Sequence, residues 1–507
     1  HRRPIMPSRR EVLKAGLWSL AAPLTAAESR VTPDVVQMRP EIEPLVRLME
    51  QTPREKCAEM LAAQLRGGAS YRDLLAALFL AGVRNINPQP PGFAMHCVFV
   101  IHSAHQMSLD APAGERLLPL FYALDNFKAA QDRDAKAQGG DYTMGAIKGT
   151  LPAPERAASE FTAAMEAWDQ ERAERAVVAL ARHRSGPDVI EMLWRYGARD
   201  YRNIGHKAIY VANAARTLHT IGWQHAEPVL RSLVLGLLDF GRQQQVNGYA
   251  LDDQCYAGNL KRLKETKLPE KWVEDRGDQA AASEILAVMR EASPDEACAD
   301  VASRLAKGKA SAGSVWDAVH LASAELRMRA RQSAALVSIH SVTSANAMHH
   351  AYLAASDPQV RFLLALQGVG WMVQFRKFAG AREDALRKFE IPSMEPSAEN
   401  AAPEKALEEI FAAIPANVDA AAARVFRLAP DVPARNAFFA GAMRYTVSRA
   451  AEVHYYKYLA ALIEDVPLVS PEWQPHMLAT AVYYIKGAND AETAPMKRAR
   501  EVLKGLG

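Results

Sequence analysis

Residues 171–180, with the sequence ERAERAVVAL, indicate the fold class of this chain. Their apolar side chains recur at positions i, i+3, i+4 and i+7, namely Ala173, Ala176, Val177 and Leu180. This spacing places all four on one face of an α-helix, where they can pack against a core. Residues 314–329 repeat the pattern, and alternating apolar and polar segments bounded by turn residues are scarce. The sequence therefore predicts an all-α fold.

The strongest candidate for a strand is residues 97–101, with the sequence CVFVI. A mainly apolar run continues from Phe93 to Met107 without a turn signal, so we interpret this region as a buried helix. The longest break is residues 392–403, which are rich in Pro, Ser, Glu and Ala. We therefore predict a main helical domain at residues 29–390, a linker-like stretch at 391–404 and a C-terminal helical unit at 405–507, packed on the main domain.

The beginning of the chain carries a pattern typical of twin-arginine export. Residues 8–14 read SRREVLK, a short and weakly apolar stretch follows to Leu24, and small residues occupy 25–27. This order of charged, apolar and small residues is that of a removable signal, and the apolar part is shorter than the roughly 20 residues of a membrane span. We predict a signal peptide with an upstream extension at residues 1–28, the twin-arginine translocation machinery as a partner, and a periplasmic or extracellular location.

Composition excludes several classes of protein. The chain has 507 residues and a net charge of +3 without a basic block, so the electrostatic pattern of a nucleic-acid binder is missing. No apolar run after the signal approaches membrane length, and we expect no membrane span. Four cysteines lack the spacings of a zinc ribbon, a cysteine-ligated cluster or c-type haem. A disulfide is compatible with an oxidising compartment, but its pairing cannot be read from the sequence.

Histidines recur near apolar helices at similar intervals. The steps from His102 to His219, to His340 and to His454 are 117, 121 and 114 residues. Near-equal steps suggest a repeated helical unit built from helical pairs, although coincidence is the alternative. If the repeat holds, related positions converge on one centre lined with imidazoles.

Imidazole suits such a centre because it titrates near neutrality and, when neutral, ligates zinc, iron or copper. His102 and His105 are three residues apart and share one face of a helix, as two ligands of one ion would. For any single histidine, a hydrogen-bonded role in the core or on the surface is the alternative. Iron or copper is the expected metal, and the predicted ligands are His102, His105, His219, His225, His340 and His454.

Known cofactor motifs are absent from the sequence. It contains no P-loop, no GxSxG, no HExxH and no GxGxxG after a strand, so we expect no self-contained NAD or FAD domain.

Residues 205–231, 315–320 and 340–347 resemble uncharacterised twin-arginine-exported helical proteins of bacteria. A histidine-bearing helix followed by His-x-Val-Thr at 340–343 also resembles the questin oxidase-like family, over about half the chain. Members of that family are associated with oxygen insertion into aromatic polyketide rings of the Baeyer–Villiger kind. The resemblance implies His102, His225, His340 and Thr343 as site residues, and we take His225, His340 and Thr343 as the candidate catalytic groups.

Three hypotheses remain open from the sequence. The first, which we favour, is an exported oxidoreductase with a histidine-lined, metal-containing pocket for an organic, more narrowly an aromatic, small-molecule substrate. The second is a metal-free enzyme in which one histidine acts as general base. The third is a helical binding or scaffold protein, in which the histidines are dispersed and separately hydrogen-bonded.

Overall fold

A computed structural model describes residues 34–136, 141–241, 245–246, 249–250, 253–273, 276–399 and 401–504. The described residues form 22 α-helices and one two-stranded antiparallel ribbon, β1 (Gln245–Val246) with β2 (Tyr249–Ala250). The protein is 74% helical, which confirms the predicted all-α class. The predicted signal at residues 1–28 lies outside the described residues.

The α-helices follow one another along the whole described chain. In order they are α1 (Glu43–Gln51), α2 (Cys57–Arg66), α3 (Tyr71–Asn85), α4 (His96–Asp110), α5 (Leu118–Asp134), α6 (Pro154–Ala167), α7 (Gln170–His183), α8 (Gly186–Gly197), α9 (His206–Ile221), α10 (Ala226–Leu237), α11 (Asp253–Glu265), α12 (Gln279–Glu291), α13 (Pro294–Ala306), α14 (Ala312–Arg329), α15 (Ala335–Ala354), α16 (Pro358–Ala379), α17 (Pro403–Ala413), α18 (Val418–Leu428), α19 (Val432–Arg449), α20 (Val453–Asp465), α21 (Gln474–Ala479) and α22 (Ala494–Lys504). Short 3₁₀ turns lie at Arg54–Lys56, Phe93–Met95, Ala113–Glu115, Arg202–Gly205, Trp223–His225, Glu270–Val273, Gln332–Ala334, Ile391–Ser393 and Thr480–Tyr484.

Helix α7 forms where the apolar spacing predicts it. Its N-cap is Asp169, whose carboxylate accepts a hydrogen bond from the backbone N–H of Arg172 at 3.1 Å. The predicted stripe is fully buried in the core, and it consists of Ala173, Ala176, Val177 and Leu180. Packing of this stripe stabilises the helix, since a helix of this length is marginal by itself in water.

Helix α4 contains residues 97–101, the segment whose sequence could be interpreted either as a strand or as a buried helix. Residues 97–101 are helical and buried on every side, which confirms the helical interpretation. A helix buried all round carries apolar residues all round, so its sequence shows no polar face that would have identified it as a helix.

Four helices form a ring at the centre of the molecule. Helix α4 packs on α9, α9 on α15, α15 on α20, and α20 packs back on α4. The flanking helices include α3 and α5 beside α4, α8 and α10 beside α9, α14 and α16 beside α15, and α19 beside α20. The axis of this ring is therefore enclosed by a second layer of helices.

The C-terminal residues contribute directly to this centre. Helix α20, within the predicted C-terminal unit, completes the ring between α15 and α4. Within the linker-like stretch, the N–H of Ile391 donates to Glu325 at 2.9 Å and the N–H of Ser397 donates to Ala423 O at 2.9 Å. Helix α22 packs on α2 and α5 near the beginning of the described chain. Residues 405–504 are thus joined to the rest through the core of the ring.

Among the described helices, none combines the length and the apolarity that crossing a bilayer requires.

Candidate metal centre

Each helix of the central ring carries one histidine at or near its N-terminal end. These are His96 of α4, His206 of α9, His340 of α15 and His454 of α20. The start of α9 approaches α15 closely because Gly205 has no side chain. A Cβ at Gly205 would lie 2.1 Å from Ser344 Oγ, and its φ of 83° also favours glycine.

The four imidazole rings occupy the corners of an approximate square, which we call the imidazole square. Neighbouring ring centroids are 4.8 Å apart for His96 and His206, 4.5 Å for His206 and His340, 4.9 Å for His340 and His454, and 4.7 Å for His454 and His96. The diagonal from His96 to His340 is 6.2 Å. The order around the square is the order of the helices around the ring.

The Nε2 atoms face one another inside this square. His206 Nε2 lies 3.1 Å from His96 Nε2 and 2.9 Å from His340 Nε2. Ring nitrogens of His96, His340 and His454 all lie within 4.8 Å of one another, close enough to share one ion. Within the described part of the chain, His454 Nε2 is buried without a hydrogen-bond partner.

The Nδ1 atoms point outward, and each has an acceptor. His96 Nδ1 is 2.8 Å from Phe93 O, His206 Nδ1 is 2.5 Å from Asn203 O, and His340 Nδ1 is 2.7 Å from Leu336 O. For the fourth ring, the partner of Nδ1 is a carboxylate. His454 Nδ1 lies 2.5 Å from Glu452 Oε2, and the Tyr484 hydroxyl donates to the other oxygen of Glu452.

These partners fix the protonation of the square. A carbonyl oxygen or carboxylate can only accept, so each Nδ1 carries the hydrogen and each neutral ring presents a lone pair at Nε2. Burial, followed by the charge of Lys457 or the neighbouring rings, holds the pKa values of His96, His206 and His340 well below the usual range. Burial also lowers the pKa of His454. Lone pairs about 3 Å apart repel one another, and a metal cation between them would relieve this repulsion by accepting them.

Lys457 follows His454 by one turn of α20 and is buried near the square. Its Nζ lies 5.5 Å from the centre of the Phe99 ring and has no hydrogen-bond partner among the described residues. Burial lowers the pKa of this amine to about 7. An amine without a hydrogen-bond partner is costly to bury so deep in a protein.

A small cavity extends from Lys457 along the axis of the ring and has space for roughly one water molecule. Each central helix lines it with residues that follow its own histidine by three to ten positions. Since the four histidines meet at one end, the helices run in the same direction. Its polar lining includes His102, Thr343, Asn346, Lys457 and Glu464.

At the far end of the cavity, the polar side chains are paired with one another. His102 Nε2 lies 2.7 Å from Glu464 Oε1, and Arg216 and Asn346 donate to the other oxygen of Glu464. Although burial alone would raise it, the charge of Arg216 and the hydrogen bond from His102 hold the pKa of Glu464 well below its usual range. This end of the axis is therefore closed by a hydrogen-bonded network centred on Glu464.

The structure brings together two of the six predicted metal ligands, His340 and His454. His102 and His105 follow His96 along α4 by six and nine residues, or about 9 and 14 Å of helix rise. His102 contacts Glu464, and His105 Nδ1 lies 3.3 Å from the Tyr71 hydroxyl. Neither joins the imidazole square.

The other two predicted ligands lie at the opposite end of α9. His219 is exposed and about 20 Å along the helix from His206, and His225 is buried in the 3₁₀ turn beyond the helix. Among the candidate catalytic residues, His340 belongs to the square and Thr343 lines the cavity, whereas His225 does neither.

Sequence reasoning missed His96 and His206 as ligands. Both begin a helix directly after a turn, at Phe93–Met95 and at Arg202–Gly205, and His454 also stands at a helix start. In each case Nδ1 reaches back to an acceptor two or three residues earlier. A histidine at the first or second helical position after a turn was therefore the signal available in the sequence.

The fold and the site together define an all-α protein with a buried square of four imidazoles. Comparisons with protein-family models, with curated proteins and with solved structures find no match for this chain.

Proposed function

We propose that the imidazole square binds one transition-metal ion through four Nε2 atoms, and that the protein is an exported oxidoreductase acting on a small organic substrate. The observation that carries this proposal is the convergence of Nε2 lone pairs whose Nδ1 partners are already fixed. Outward Nδ1–H groups bound to carbonyl or carboxylate oxygens are the usual supports of histidines that ligate metals.

The spacing of the nitrogens supports an ion with open coordination positions. With metal–nitrogen bonds of about 2.1 Å, two ligands at right angles are about 3.0 Å apart, and two at the tetrahedral angle are about 3.4 Å apart. The two closest pairs in the square are separated by 3.1 and 2.9 Å. Four donors in a square leave positions free on both faces, whereas a structural zinc site is closed and tetrahedral. This arrangement favours iron or copper.

The chain supplies groups that suit reaction on one open face. The Lys457 amine lies on the side of the cavity, which offers space for a small co-reactant beside the ion. In its charged form, this amine stabilises negative charge that develops on a ligand in the water-poor interior. The resemblance to the questin oxidase-like family favours an aromatic substrate, with oxygen as the co-reactant, as the narrower hypothesis.

The metal proposal is tested by elemental analysis of protein purified without a His-tag. We expect about one equivalent of iron or copper per chain, and loss of that metal in His340→Ala. His219→Ala is the matched control, because His219 is exposed at the other end of the ring and should not change the metal content. Metal well below one equivalent in every preparation would overturn the proposal and leave the general-base and scaffold hypotheses.

The redox proposal needs a separate measurement. Electron paramagnetic resonance and visible absorption before and after a mild reductant should report a change of oxidation state of the bound ion. One equivalent of zinc with no redox-active metal would keep the metal centre and reject the oxidoreductase. The two failures are therefore distinguishable.

We also propose that the chain leaves the cytoplasm by the twin-arginine route. The pattern at residues 8–14, outside the described residues, supports this. Replacing Arg9 and Arg10 together by lysine should retain the protein in the cytoplasm, whereas Arg2→Lys with Arg3→Lys should leave export unchanged. Equal distribution of all three forms between compartments would reject the route.

A further inference from the structure

Two thiols meet in the core at a site separate from the imidazole square. Cys255 of α11 and Cys298 of α13 have their Sγ atoms 3.6 Å apart, and both side chains are buried. Helices α11 and α13 pack on each other and on α16. The two sulfur atoms therefore lie where three helices meet.

Gly370 of α16 makes the space for this pair. A Cβ at this position would lie 2.5 Å from Cys255 Sγ and 3.1 Å from Cys298 Sγ. Real Cβ atoms essentially never come within 3.0 Å of such a neighbour, so any other residue would displace the first sulfur. The absence of a side chain at Gly370 is thus what lets both sulfurs lie against the backbone of α16.

The hydrogen bonds around the pair tolerate loss of the thiol hydrogens. The amide of Asn259 lies 3.6 Å from each sulfur and donates to Gln367 Oε1 at 2.7 Å. The Cys298 thiol donates to Leu366 O, a carbonyl within α16, at 3.2 Å. If both thiols were oxidised, the side-chain oxygen of Gln367 would keep its donor from Asn259. No buried side-chain acceptor of the pair would be left without a donor.

We propose that Cys255 and Cys298 form a disulfide that joins α11 to α13. Closing the gap from 3.6 Å to a bond of about 2.05 Å requires the two side chains to share a movement of about 1.5 Å. The oxidant is a small disulfide such as oxidised glutathione. Each cysteine loses its hydrogen, one S–S bond forms in the protein and one breaks in the oxidant, and two small thiols are released.

The proposal is independent of the metal and is tested by counting thiols. The full chain is refolded in buffers of defined ratios of reduced to oxidised glutathione, quenched with acid, denatured and treated with N-ethylmaleimide. Mass spectrometry should show four adducts under reducing conditions and two under oxidising conditions. Peptide mapping should place the link between Cys255 and Cys298.

Single variants provide the controls. Cys57→Ser should keep one protected pair, since Cys57 is buried in a different part of the core. Cys298→Ala should leave all three remaining thiols reactive under every condition. The disulfide closes a long loop in the unfolded chain, so oxidation should raise the melting temperature of the natural protein by a few degrees and leave Cys298→Ala unchanged.

Three outcomes would overturn the proposal. They are four adducts at every glutathione ratio, a link that includes Cys57 or Cys97, and glutathione attached to Cys255 or Cys298 in place of the internal bond. If Cys298→Ala fails to fold, Cys255→Ala serves the same purpose, because it removes the other sulfur of the same pair.

Discussion

Two consecutive residues at the start of α9 belong to two different kinds of buried polar cluster. Lys207 joins an ion cluster with Asp200 and Arg202, in which the chain supplies every partner. Its ammonium donates to Asp200 at 3.0 Å, to Leu237 O at 3.0 Å and to Asp239 O at 3.1 Å. Arg202 donates to both oxygens of Asp200 at 3.0 Å. All three N–H donors of the lysine are therefore satisfied.

His206, the preceding residue, has only its outer nitrogen satisfied by the chain. Its Nε2 lies 3.1 and 2.9 Å from the Nε2 atoms of His96 and His340, and with the hydrogen of each ring on Nδ1 none of the three can donate to another. Both clusters are buried to a similar degree. The difference between them indicates that burial alone does not identify a site. A site is indicated where several buried polar atoms lack a donor and face the same space.

The largest expected effect concerns the ion cluster, in which every charged group has a partner from the chain. Asp200→Asn removes the carboxylate that pairs directly with both Arg202 and Lys207, so these two buried cations lose their shared partner. We expect a loss of about 3–5 kcal/mol in the free energy of unfolding. Thermal melting measures it, with Asp125→Asn as the control. Asp125 pairs with Arg54 near the surface, and its replacement should cost about 1 kcal/mol or less. Similar melting of the two variants would contradict a structural role for the ion cluster.

The next largest effect concerns the imidazole square. His206→Ala removes one corner of the square, and we expect affinity for the metal to fall more than about 100-fold, since loss of an outer-shell partner alone costs about 10–100-fold. Competition with a chromophoric chelator measures the affinity. Asp200→Asn provides the crossed control, because its folded fraction should keep the metal. Retention of full affinity in His206→Ala would remove this residue from the site.

The fold class and the core of α7 could be predicted because local periodicity determines which face of an amphipathic helix is buried. The four central helices were also within reach, since each contains one histidine of the predicted repeat: His102, His219, His340 and His454. The repeated unit itself stays a prediction.

Which histidine of each helix joins the imidazole square could not be read from the sequence. His96 and His102 both lie on α4, and His206 and His219 both lie on α9. Helices buried all round give no polar face that would orient them, and the axial register of one helix against another depends on tertiary packing. Hydrogen bonds between distant segments, such as that between His102 and Glu464, are equally invisible before folding.

A smaller effect is expected from changing Glu452, the carboxylate that holds His454 in the imidazole square. Glu452→Gln keeps an oxygen that accepts from His454 Nδ1 but removes the negative charge that makes the imidazole a stronger donor to metal. We expect metal affinity to fall about 10-fold, and further in Glu452→Leu, measured by the same chelator competition. Tyr484→Phe is the control, because it leaves the contact between Glu452 and His454 in place. A larger loss in Tyr484→Phe than in Glu452→Gln would contradict this ordering.

The smallest effect is expected at Thr343, which lines the cavity without belonging to either cluster. Its hydroxyl bonds back to Ile339 O at 3.3 Å, so Thr343→Val should leave stability and metal content unchanged. A hydroxyl that also contacts a small ligand in the cavity adds about 0.5–1.5 kcal/mol, so azide binding to the metal-loaded protein should weaken by up to about tenfold. Thr217→Val is the matched control, because Thr217 makes the same kind of bond to Asn213 O at 2.7 Å and does not line the cavity. Equal azide affinity in the two variants would show that the hydroxyl of Thr343 serves only its own helix, and that the chemistry of this face depends on Lys457 and the imidazole square.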